Sequence, residues 1–125
     1  MFEVLIKTEF AAAHSLRNYR GACEAIHGHN WKVDVYVRAK EVNEAGLAID
    51  FKLLKGKTDD IIDQLDHCNL NDLEPFKKIS PSSENIAKHI FQTLQKALPA
   101  AVALQKVTVW ETDMEAASYF EGNGG

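Results

Sequence analysis

The segment "CEAIHGHN", residues 23–30, places one thiol and two imidazoles close together in a chain with five histidines and two cysteines. Residues two apart on a β-strand share a face, with Cα atoms about 6.5–7 Å apart, so His27 and His29 could bind one ion. Gly28 between them leaves the opposite face clear of a side chain. Three imidazoles and a vacant fourth position are typical of a catalytic zinc, and "FAAAH" offers a third imidazole in His14.

The spacing of these residues leaves two alternatives open. Histidines on an apolar face are often hydrogen-bonded core residues, and imidazole also binds copper, iron and nickel. Cys23 could close a four-ligand structural zinc site, or it could be a reactive thiolate beside an open site. Its position in a polar segment favours either role over that of an inert buried thiol.

Two other segments contain residue types that handle protons or ligands. "LDHCNLN" contains Asp66 and His67, in which the carboxylate can orient the imidazole for proton transfer, although a polar helix end would look the same. In "VTVWET", Glu111 shares the strand parity of Val107 and Val109 and so ends an apolar face. A carboxylate in that position needs a partner, either a cation within the protein or a ligand with paired N–H donors.

Strand periodicity brings the three histidines to one place. From Phe2 to His14 the even positions are mostly apolar, which predicts a half-buried strand with its even face inward. A second alternation begins at Trp31 on odd positions, and extending it backwards reaches His29 and His27. If the two strands pair antiparallel, all three histidines lie at the same end of one hairpin and face the core.

The remaining elements are two helices and two short strands. Asp50 is a candidate N-cap for the first helix, Ser80 or Ser82 caps the second, and Pro99 ends it. "QKVTVWET" and "AASYFE" predict two final strands. The order ββααββ is typical of the α+β class.

Length, composition and charge limit the functional classes. A chain of 125 residues with 46% hydrophobic residues predicts a single domain, residues 1–125, with residues 122–125 as a disordered tail. The net charge of -4 argues against nucleic acid or an anionic membrane as partner. The chain has no long apolar run, and its N-terminus is charged at the third residue, so we expect a cytoplasmic protein. In that compartment a Cys23–Cys68 disulfide is disfavoured.

Six motifs together resemble the 6-pyruvoyltetrahydropterin synthase family in order and spacing: "FAAAH", "CEAIHGH", "AIDF", "LDHCNLN", "PSSENIA" and "WET". The resemblance implies the tunnelling fold (T-fold), a four-stranded antiparallel sheet with two helices on one face. Such sheets join edge to edge in a homo-oligomer, which we expect to be a hexamer made of two trimers. Assembly of this kind would also cover the open sheet edges of a single subunit.

The same resemblance assigns roles to individual residues. It implies one zinc ion (Zn2+) per subunit, bound by His14, His27 and His29. It implies a catalytic trio of Cys23, Asp66 and His67, in which the thiol is the base and the Asp–His pair handles protons. It implies that Glu111 holds a pterin ring, assisted by the neighbouring backbone at Thr112.

The substrate implied by the family is 7,8-dihydroneopterin triphosphate. The short segment before Cys23 favours the branch that forms 6-carboxy-5,6,7,8-tetrahydropterin and acetaldehyde for queuosine biosynthesis, over the branch that forms the 6-pyruvoyl product. A non-catalytic metal-binding protein is a third, weaker alternative. Candidates for triphosphate binding are chosen by charge alone, and we expect them to be ordinary surface residues: Arg17, Arg20 and Lys32.

Overall fold

A long β-hairpin forms the centre of the molecule. The computed structural model describes residues 1–22 and 24–122. Strands β1 (Phe2–His14) and β2 (His27–Ala39) pair antiparallel along their whole length, from Phe2 opposite Ala39 to His14 opposite His27. Because side chains alternate along a strand, the even residues of β1 and the odd residues of β2 face the same side, as the sequence predicts.

Two helices cover that side of the sheet. Helix α1 (Phe51–Leu65) begins where the Asp50 side chain accepts the Lys52 N–H at 2.8 Å, and it packs against β1. Helix α2 (Ser83–Gln95) is capped by Ser82 and packs against β4 (Ala103–Thr112) and β5 (Glu115–Tyr119). Within the described residues no helix is long and apolar enough to span a membrane.

Among the described residues the sheet has five strands, in the order β3 (Cys68–Asn69), β1, β2, β4, β5, so the prediction of a four-stranded antiparallel sheet was wrong in this detail. The added strand, β3 (Cys68–Asn69), runs parallel to β1 beside Ala12 and Ala13. It forms because His67 adopts a left-handed backbone, with φ of 57°, and donates its N–H to the carbonyl of Ala11. A 3-10 turn, Leu70–Asp72, follows at once. The α+β class and the two helices are as predicted.

The apolar core lies between the helices and the hairpin. Its largest fully buried members include Trp31 and Val33 of β2, Leu54 of α1 and Phe91 of α2. In the described sheet β3 pairs with only the last part of β1, so most of the outer edge of β1 has no strand beside it. The predicted tail, residues 122–125, lies outside the described residues apart from Gly122.

Candidate metal centre

The three histidines predicted to converge do lie together at one end of the hairpin. His14 and His27 are cross-strand partners with ring centroids 4.7 Å apart, and their Nε2 atoms are 3.1 Å apart. The His29 ring lies 5.3 Å from His14 and 4.8 Å from His27. One ligand atom from each of these histidines and one from Glu111 all lie within 4.8 Å of one another. A single ion could therefore contact all four side chains.

Backbone carbonyls orient two of the imidazoles. The Nδ1 of His14 lies 2.7 Å from the carbonyl oxygen of Pro81, and the Nδ1 of His27 lies 2.9 Å from that of Ala25. Because a carbonyl oxygen can only accept, each Nδ1 carries a proton, and in the neutral imidazole the Nε2 then has a lone pair for a metal. This arrangement is the usual second contact of a metal-binding histidine. No sequence pattern predicts this contact, because a main-chain acceptor has no residue-type signature.

His29 provides the observation that tests whether a metal fits here. Its Nε2 is buried and has no hydrogen-bond partner among the described residues. Burial lowers the pKa of His29, which favours the neutral, metal-binding form, although the nearby Glu111 carboxylate opposes that shift. A buried nitrogen without a donor, beside two similar nitrogens, suits a metal ion. Three imidazoles and a carboxylate form a donor set that zinc accepts readily.

The indole of Trp31 forms the floor of the cluster. Trp31 is fully buried, its ring centroid lies 4.8 Å from that of His14 and 5.1 Å from that of His29, and it stacks on Phe10. Its Nε1–H donates to the carbonyl of Ala12 at 3.1 Å. The floor keeps water away from one side of the cluster and restricts the rotation of both imidazoles.

Glu111 reaches the cluster from β4 at an irregularity in the sheet. The pairing of β4 with β5 shifts by one residue between Trp110 and Thr112, which is the pattern of a β-bulge. The Glu111 Oε1 lies 3.2 Å from the Nε2 of His14 and 3.5 Å from that of His29. Strand parity predicted that this carboxylate points inward, but it did not predict that the carboxylate joins the histidines.

Asp66 and His67 lie apart from this metal group, at the outer edge of β1. The Asp66 Oδ1 accepts the Ala11 N–H at 2.9 Å, and its Oδ2 lies 2.9 Å from the Nδ1 of His67. The Ala11 N–H, more than any other contact, lowers the pKa of the Asp66 carboxyl. The His67 side chain is 83% exposed, and it borders an open cavity of about 610 Å³ together with Gly28 and His29.

Cys23 and Thr112 were also predicted to belong to the site. Cys23 lies outside the described residues, so its predicted role stays a prediction. Thr112 is exposed, and its Oγ1 accepts the Met114 N–H at 3.1 Å and donates to Glu115 at 3.2 Å. These contacts stabilise the turn between β4 and β5 and involve the Thr112 side chain. The predicted role of its backbone in ligand binding stays a prediction.

The three basic residues considered for triphosphate binding all have contacts within the protein. The Arg17 guanidinium donates to the carbonyl of Phe76 at 2.7 Å and so ties down the segment before α2. Lys32 pairs with Asp113 at 2.8 Å, and Arg20 lies over the preceding tyrosine ring, 5.2 Å from its centroid. Lys32 and Arg20 are exposed, whereas Arg17 is half-buried and bonded to the main chain, so it is not the ordinary surface residue that we expected.

Comparison with known proteins gives one consistent result. Residues 3–122 match the family described as 6-pyruvoyl tetrahydropterin synthase. The chain is 37% identical to 6-carboxy-5,6,7,8-tetrahydropterin synthase of Synechocystis, over 96% of this chain and 94% of that protein. It is 33% identical to dihydroneopterin monophosphate aldolase of Pyrococcus furiosus, over 86% and 88% of the two chains.

A solved structure gives the same result for the fold. The structure of Caenorhabditis elegans 6-pyruvoyl tetrahydropterin synthase matches with a TM-score of 0.84 and 27% sequence identity, covering 97% of this chain and 96% of that one. The two helices and the sheet described above therefore form the fold of this family.

Proposed function

This chain belongs to the 6-pyruvoyl tetrahydropterin synthase family, and we propose that it is a zinc-dependent lyase acting on 7,8-dihydroneopterin triphosphate. The proposed products are 6-carboxy-5,6,7,8-tetrahydropterin, acetaldehyde and triphosphate, formed with consumption of water, as a step of queuosine biosynthesis. The observation that carries the proposal is the cluster of three imidazoles and one carboxylate. It occurs in a chain related to a 6-carboxytetrahydropterin synthase.

We assign His14, His27 and His29 as the zinc ligands and Glu111 as a substrate-binding residue. When bound, zinc would make the two hydroxyls of the substrate side chain more acidic, as it lowers the pKa of bound water to about 7. Because the Glu111 Oε1 lies 3.2 Å from the Nε2 of His14, it can accept a proton from a hydroxyl held there. The resemblance also implies that Glu111 contacts the pterin ring, and the proposal keeps that role.

Cys23 is the proposed base that removes protons from the substrate side chain. A free thiol has a pKa of about 8.5, and a neighbouring cation lowers it. A thiolate beside zinc would therefore be a competent base near neutral pH. This role rests on the family resemblance of "CEAIHGH". The carboxylate of Glu111 gives the site a second proton acceptor.

We propose that Asp66 and His67 complete the site of a neighbouring subunit. Both residues lie at the outer edge of β1, which the two-residue strand β3 covers only in part. A proton-transfer pair works best when it is shielded from water, whereas His67 is 83% exposed in the single chain. Edge-to-edge pairing in the expected homohexamer would cover the edge of β1 and bring this pair against another copy.

The decisive experiment identifies the products formed by the zinc-loaded protein. Dihydroneopterin triphosphate and dihydroneopterin monophosphate are supplied separately, pterins are identified by mass spectrometry and acetaldehyde is trapped. Acetaldehyde together with the 6-carboxy product from the triphosphate supports the proposal. Absence of turnover with intact Cys23 would reject it and favour a metal-binding protein without catalysis.

The second candidate is 6-pyruvoyltetrahydropterin synthase, which eliminates triphosphate without breaking a carbon–carbon bond. The likeness to the C. elegans structure favours this alternative. The same assay separates the two, because only the carboxy branch releases acetaldehyde. Turnover of the monophosphate alone would instead support an aldolase like the P. furiosus relative.

A further inference from the structure

His14 is held by a segment that is far away in the sequence, residues 80–85, just before and within the first turn of α2. The His14 Nδ1 donates to the carbonyl of Pro81 at 2.7 Å, across a separation of 67 residues. His14 is fully buried, so water cannot take the place of this acceptor. The direction of one carbonyl group therefore sets both the tautomer and the orientation of the most buried imidazole in the cluster.

Asn85 forms hydrogen bonds with the residues on both sides of Pro81. Its side-chain Nδ2 donates to the carbonyl of Ser80 at 2.9 Å, and its backbone N–H donates to the Oγ of Ser82 at 3.2 Å. Pro81 lies between these two residues. Proline has no N–H and a fixed φ, so the orientation of its carbonyl depends on the peptide groups that flank it.

We infer that Asn85 is a positioning residue for the metal centre, acting on His14 through the carbonyl of Pro81. The inference rests on the proposed metal-binding role of the three histidines. The N-cap of α2 needs only the backbone N–H of residue 85 and the Ser82 hydroxyl, so the cap does not explain the side-chain contact with Ser80. That contact instead holds the peptide group on which the Pro81 carbonyl depends.

The expected effect of losing the Asn85 side chain is a change in metal affinity. Without its Nδ2 the peptide between Ser80 and Pro81 can rotate, and the Pro81 carbonyl then orients His14 less strictly. A fraction of His14 then carries its proton on Nε2, the nitrogen that must bind the metal. Loss of a direct outer-sphere partner typically weakens metal binding by about 10–100-fold. Asn85 acts one contact further out, so its loss should fall at the lower end of that range.

The test compares Asn85→Ala with Asn43→Ala in the full chain. Asn43 is a matched control because its side chain also makes loop hydrogen bonds, accepting the N–H groups of Ala45 at 2.9 Å and Leu47 at 3.1 Å, in an exposed loop outside the metal group. Zinc affinity is measured by competition with a chromogenic chelator, and the visible spectrum of the cobalt-substituted protein reports ligand geometry. Long-range ¹H–¹⁵N NMR of the metal-free protein reports the tautomer of His14.

We expect Asn85→Ala to lower zinc affinity by about 10-fold, alter the cobalt spectrum and reduce the population of Nδ1-protonated His14, while Asn43→Ala changes none of these. Asn85→Asp keeps the size of the side chain but cannot donate to Ser80, so it should give the same result if alanine unfolds the protein. Parent-like affinity and tautomer in both Asn85 variants would overturn the inference. Failure of the parent to bind zinc contradicts the proposed function instead, and the tautomer of His14 still decides the role of Asn85.

Discussion

Removal of a metal held by the three histidines should leave this fold intact. The apolar core is formed mainly by side chains of the hairpin, both helices and β4, and the buried His14 borders it at Trp31. Within the described residues the cluster lies at one end of the hairpin, beyond the core residue Trp31. A chelator should therefore remove the metal and the activity, while the secondary structure persists.

The structure gives the size of the effect. Metal loss leaves the buried Nε2 of His29 without a hydrogen bond and the buried Nε2 of His14 without a donor, at a cost of about 1–3 kcal/mol for each nitrogen. Domains of this size typically have a free energy of unfolding of about 5–15 kcal/mol, so the metal-free protein should remain folded. Zinc present at about 100 times its dissociation constant adds about 2.7 kcal/mol. For 125 residues this corresponds to a rise in Tm of about 8–16 °C.

Far-UV circular dichroism melts at one protein concentration, with chelator and with added zinc, measure the secondary structure of the metal-free protein and the zinc-dependent rise in Tm. The variant His29→Gln is the control, and it should lose most of the zinc-dependent rise in Tm. If chelation alone removes the secondary structure at 25 °C, the site is a structural clip whose binding energy is folding energy, and our reasoning is wrong. Cys23 would then be the expected fourth ligand.

Three further variants test individual residues. Cys23→Ala should keep stoichiometric zinc, measured by elemental analysis, and lose turnover; loss of zinc would make Cys23 a ligand. Trp31→Phe should lower the free energy of unfolding, measured by urea denaturation, by about 2–4 kcal/mol. The Ala12 carbonyl loses the indole N–H donor, and a cavity opens beneath the histidines. Asp66 has a lowered pKa, so its charged form stabilises the fold above about pH 4 and that contribution disappears as the pH falls through the folded pKa. The stability gap between parent and Asp66→Asn should therefore be widest near pH 7 and shrink in acid, and a gap independent of pH would count against this assignment.

Local sequence patterns were enough to predict the hairpin and the meeting of its histidines. Period-two alternation gives the facing of each strand, and antiparallel pairing then brings His14 opposite His27. The start of α1 could also be predicted from the sequence, because the Asp50 cap is a contact between residues close together in the chain. In each case the deciding interaction lies within one strand pair or one helix turn.

The features that were missed depend on contacts between distant parts of the chain. Strand β3 forms because the His67 N–H donates to the Ala11 carbonyl, and neither residue type predicts that hydrogen bond. Glu111 reaches the histidines at a bulge in β4, which no alternation pattern reveals. The acceptor for His14 is the Pro81 main chain, and every residue has a main-chain carbonyl.

The hydrogen bond from His14 to the Pro81 carbonyl also has a consequence for folding kinetics. Because it joins positions 67 residues apart, the oriented imidazole exists only after the hairpin has docked onto the start of α2. Long-range contacts of this kind tend to form late. We expect zinc to slow the unfolding rate and to leave the folding rate almost unchanged. In a newly synthesised chain, metal uptake would then report that folding is complete.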